Sequence, residues 1–164
     1  MWWMAAAWAA DAGCPAQVIE GHRTATGSGT ASSREAAEVA AGKDALARLL
    51  DPWCGPAPGS YWCHRVTANA GVVRSSVSQA DGGFAACAVA AVHEVFVDEL
   101  TRGKADFDEG LRGLVAGVAS GTQGRVSVDW KEPVPSALPR PWVDVTLRSA
   151  LADSGVVVVD ESAA

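Results

Sequence analysis

Large aliphatic side chains are scarce in this sequence. Its 164 residues include nine Leu and one Ile against 32 Ala and 21 Val, and Leu, Ile, Val and Phe together number 34. That share is only just above the ~20% below which a highly charged chain stays disordered. Lysine is scarce as well, with three residues beside ten Arg, and the 13 basic residues are outnumbered by 19 acidic ones. A net charge of −6 has the wrong sign for a surface that neutralises phosphates, so nucleic acid is not an expected ligand. No Lys or Arg precedes Arg23, so residues 1–10 (MWWMAAAWAA) lack the positive start of a secretory signal. Asp11 stands where a lipoprotein signal before Cys14 would carry an aliphatic residue. The ten apolar residues also fall short of the about 20 that cross a bilayer. These absences lead us to expect a cytoplasmic protein.

Cysteine is sparse, at four residues, and a chain of this length with its own core does not need bridges. We therefore expect Cys14, Cys54, Cys63 and Cys87 to be free thiols in a reducing compartment. No two Cys or His pairs have the close spacing of a structural zinc site, so neither a metal nor another cofactor is expected.

Tryptophan, at seven residues, is abundant and supplies the bulk that the aliphatics do not. Trp2, Trp3 and Trp8 cluster in the first apolar segment, which reads as a helix that plugs the core, docks on a subunit or, as a less favoured alternative, rests on a membrane surface.

Along the rest of the chain, residues 24–33 (TATGSGTASS) read as a flexible loop. Ser32 and Glu35 have capping-box spacing, predicting a helix over 33–50. Residues 51–60, with three Pro and two Gly, read as a second loop, followed by short strands at 61–66 and 71–78. The apolar run 83–100 reads as the central buried helix. A further helix starts near Asp106 and ends at Gly121. Residues 124–130 then read as a strand, and 142–147 as a strand or 143–153 as a helix, the 143, 147, 150, 151 spacing favouring the helix; with a strand at 156–159 this makes a βαβ-like unit over 124–160. The expected fold is α+β, or a small α/β sandwich: one domain over 1–164 with about four helices around a small mixed sheet.

Several constellations touch on chemistry. Trp53-Cys54-Gly55-Pro56 resembles the start of the thioredoxin-family active-site motif, but Ala57 stands where the resolving cysteine would be. Without that second thiol a mixed disulfide cannot be discharged, so no activity is carried over. Cys54 and Cys63 with His64 form a local set from which a nucleophilic thiolate could arise. His93-Glu94 opens like the zinc-protease pattern His-Glu-x-x-His, yet the fifth position is Val97, leaving His93 and Glu94 as acid–base candidates without a metal. Gly27, Gly29 and Ser32 precede a predicted helix N-terminus, the geometry of an anion site. Gly113 and Gly117, four apart on a predicted helix, open a face for close packing within the domain or against another subunit.

No catalytic set is complete. The favoured reading is a non-catalytic module that binds a protein partner or its own copies, as subunits of larger assemblies do, phage structural proteins included. The alternative is a small cytosolic enzyme using the Cys/His or His/Glu residues.

Overall fold

A computed structural model describes residues 14–56, 58–121, 125–129 and 138–159. Trp2, Trp3 and Trp8, with the helix expected around them, lie outside these residues. The chain is α+β and forms two compact units, 1–100 and 101–164.

The first unit begins with β1 (His22–Ala31), α1 (Arg34–Cys54) and α2 (Tyr61–Thr67), followed by β2 (Gly71–Ala80) and β3 (Gly83–His93). The strand order is β1-β3-β2, and both outer strands run antiparallel to β3. The path from β1 through α1 to β2 thus skips one place in the sheet, and β3 turns back to fill it, a split β-α-β arrangement. The turn into β3 is Asp81-Gly82, where Gly82 sits at φ +81°, a conformation that glycine adopts without penalty.

The expected loop at 24–33 is therefore mostly β1. Its residues alternate: Ala25, Gly27 and Gly29 share a face with Ala90, Ala88 and Ala86 of β3, while Thr24, Thr26 and Ser28 share the other with Ala91, Val89 and Cys87. The first face carries α1, whose Ala37, Ala41 and Ala45 recur at one-turn spacing and are completely buried against Ala86, Ala88 and Ala90. A Cβ on Gly27 would stand 2.5 Å from the Ala41 carbonyl oxygen, and one on Gly29 would stand 2.6 Å from that of Ala37. Helix and strand meet backbone to backbone. This is how a chain poor in Leu and Ile packs a core: small residues replace volume with proximity.

Three further expectations are corrected. Residues 83–93 form the central strand and not a helix. The run is apolar on both sides because both faces are covered, and such a run cannot be told from a buried helix by periodicity. Residues 61–67 form α2 and not a strand, since the Ser60 hydroxyl accepts from the Cys63 N–H at 3.1 Å and caps the helix. Helix α1 continues past its expected end through Pro52 to Cys54, and its N-cap is Ser33 and not Ser32.

The helix α3 (Glu94–Gly121) is continuous, with no second start at Asp106, and ends where Gly121 was expected to stop it. In the second unit, β4 (Arg125–Ser127), α4 (Arg140–Asp153) and β5 (Val157–Val159) follow. β4 and β5 pair in parallel, the expected βαβ unit. Leu147, Leu151 and Val156 form its core, packed by Leu111, Val115 and Val118 of α3 and by Val126, Val128 and Val158.

Candidate functional site

The cysteines decide most of the chemistry. Cys14 is bonded to Cys87 and Cys54 to Cys63, so the described residues include no free thiol and the expectation of four reduced cysteines is corrected. Spacing hid both bridges: one joins residues 73 apart, and the other joins the end of α1 to an α2 that reads as a strand. Cys54 and Cys63 hold each other as a disulfide, with the Thr67 hydroxyl 3.8 Å from the Cys54 sulfur, and have no thiolate to offer His64.

The other bridge pins residues 14–17 across the sheet face opposite α1. There the Thr24 hydroxyl donates to the Gln17 carbonyl at 2.7 Å, and Arg74 donates to the Gln17 side-chain oxygen at 3.3 Å. Cys14, Gln17, Thr26, Arg74, Ser76 and Val89 line a shallow cavity of about 290 Å³. In the second unit, Asp129, Arg140, Asp144 and Arg148 line an open recess of about 400 Å³, where Arg148 pairs with Asp144 at 2.8 Å. Among the described residues, no group of three or more His, Cys, Asp or Glu is placed to hold a metal ion.

His93 ends β3 and Glu94 begins α3, so they do not share the helix that the sequence suggested. His93 instead faces His22, its partner in the β1–β3 register, with ring centroids 5.0 Å apart. Asp98 pairs with Arg23 at 2.7 Å. His22 was not legible as a site residue because only the strand pairing brings it to His93.

Gly27 and Gly29 are strand residues closed by the α1 main chain, and Ser32 is not the helix cap, so the anion-loop geometry does not form. Asp44 of α1 accepts the Ser28 N–H at 3.0 Å and the Arg48 guanidinium at 3.0 Å. These donors, the Ser28 amide first, hold its carboxyl below the ordinary Asp range. Among the described residues β1 pairs only with β3, and this carboxylate lies on its other edge.

At Gly110, Gly113 and Gly117 a Cβ would meet no described atom outside the helix within 4 Å. Among the described residues, then, nothing packs closely on these three glycines. Compared with known proteins, the chain matches no family model, no curated protein and no solved structure.

Proposed function

We propose that this chain is a non-catalytic module that associates with its own copies or a protein partner as a subunit of a larger assembly, in an oxidising compartment. The observation that carries the reading is the bare face of α3. Leu114 is 49% exposed on one stripe with Gly110 and Gly117, where added side chains would meet open space. Glycines that cost helix stability and meet no other described residue suit a backbone that another helix approaches closely. The two disulfides support the rest: they remove the thiolate on which the enzyme alternative leaned, and bridges persist in oxidising compartments. That replaces the cytoplasmic expectation as our reading. No helix among the described residues is long and apolar enough to cross a membrane.

Light scattering on the full chain tests this reading. The expected mass exceeds one chain and falls toward one chain in Leu114→Glu and in Gly117→Leu. A further decrease on deleting residues 1–10 is expected if Trp2, Trp3 and Trp8 contribute to the contact. A wild-type mass of one chain at every concentration would contradict self-association.

A further inference from the structure

We propose that His22 and His93 together bind a late first-row divalent metal ion, of which Zn²⁺ is the probe. The site is independent of the assembly reading. The two residues are the end pair of the β1–β3 ladder, directly opposite each other on the face away from α1. Their ring centroids are 5.0 Å apart with an interplanar angle of 64°. Two imidazoles sharing one ion, each at about 2.0–2.1 Å from ring nitrogen to metal, hold their centroids roughly 4.5–5.2 Å apart between square-planar and tetrahedral angles. The rings already stand at chelating separation.

The hydrogen bonding of His22 suits the role. Its Nδ1 lies 2.9 Å from the Glu20 carbonyl oxygen, which can only accept, so this contact selects the tautomer with the hydrogen on Nδ1 and leaves Nε2 to bind a metal. An imidazole that donates through one nitrogen to a carbonyl while binding through the other is the usual arrangement at metal centres. The backbone around the pair is fixed: the Glu94 N–H donates to the Gly21 carbonyl at 2.9 Å, tying the start of β1 to the junction of β3 and α3. Little ordering cost is left for binding. Arg23 points to the opposite strand face, and its charge is engaged by Asp98 at 2.7 Å. His93 is exposed, so water can fill the remaining coordination positions. Two protein ligands, where structural zinc sites use four, place the affinity well below that of a zinc finger.

The test is calorimetric titration of the intact, disulfide-bonded protein with Zn²⁺, with thermal unfolding as a second readout. The proposal expects one equivalent of Zn²⁺ to bind and to raise the Tm. His22→Gln and His93→Gln should each weaken binding by about 100-fold, because either loss abolishes chelation, and the double variant should lose the residual single-imidazole binding as well. His64→Gln, on α2, should bind as the wild type does. His93 is exposed and His22 half-buried, and circular dichroism checks that each variant folds. The proposal is overturned if the wild type takes up no Zn²⁺, or if either single substitution leaves the affinity unchanged.

Discussion

At Gly27 and Gly29 one methyl group is the difference between a strand that α1 can lie on and one that it cannot. The atoms a Cβ would meet are main-chain atoms of Ala37, Ala41 and Ala45 and the Ala40 Cβ, none of which can rotate away. Gly27→Ala or Gly29→Ala should therefore cost more than about 3 kcal/mol, at or beyond the upper end of ordinary overpacking. Gly113→Ala and Gly117→Ala meet no other described residue and should stabilise the chain by up to about 1 kcal/mol each, through helix propensity alone. Urea unfolding, at concentrations where the chain is monomeric, checks both signs. Sequence alone gives these four glycines similar standing, as flexible loop or helix face. Their opposite roles are set by what lies across from them, and that depends on the tertiary fold.

Asp44 belongs to the same scale. Its folded-state pKa is depressed by the Ser28 amide and Arg48, so its stabilising contribution is present above the unfolded Asp pKa and is lost as pH falls through the folded value. Asp44→Asn should be less stable than the wild type at neutral pH, and the gap should close on acidification below about pH 4. Unfolding midpoints measured against pH would show this, and a gap independent of pH would contradict it.

At the scale of elements, the second half of the chain was more legible than the first. Leu111, Val115 and Val118 recur at helical spacing, and the valines of β5 form a short extended run, so periodicity and caps locate α3's end, α4 and β5. In the first unit small residues erase periodicity. Phe84 to Val92 is apolar on both faces as a strand, and β1 looks like a loop because its core face is Ala and Gly. The signals that could have corrected these readings were local: Asp81-Gly82 as a hairpin turn and Ser60 as a cap. The bridges then do what side-chain volume does not. Removing Cys14–Cys87, which spans 73 residues, should cost about 4 kcal/mol on a chain-entropy basis, and removing Cys54–Cys63, which spans 9, about 2.5–3 kcal/mol. Paired Cys→Ser variants compared by denaturant unfolding give the order, and a larger loss from the short bridge would show that local packing at α2 outweighs loop closure.

For the whole molecule, the proposed structural reading of the cysteines, and the proposed compartment with it, rests on the two bridges. Paired sulfurs leave a chain with a thin aliphatic core held by close backbone contact and crosslinks. Thiols would restore the Cys54, Cys63 and His64 set as a candidate nucleophilic site. The direct measurement is intact-mass alkylation of the protein purified without reductant, followed by peptide mapping. The account predicts no labelled cysteine before reduction, four labelled cysteines after it, and crosslinked peptides joining Cys14 to Cys87 and Cys54 to Cys63. Labelling of all four thiols without reductant, or crosslinks in any other pairing, would contradict it.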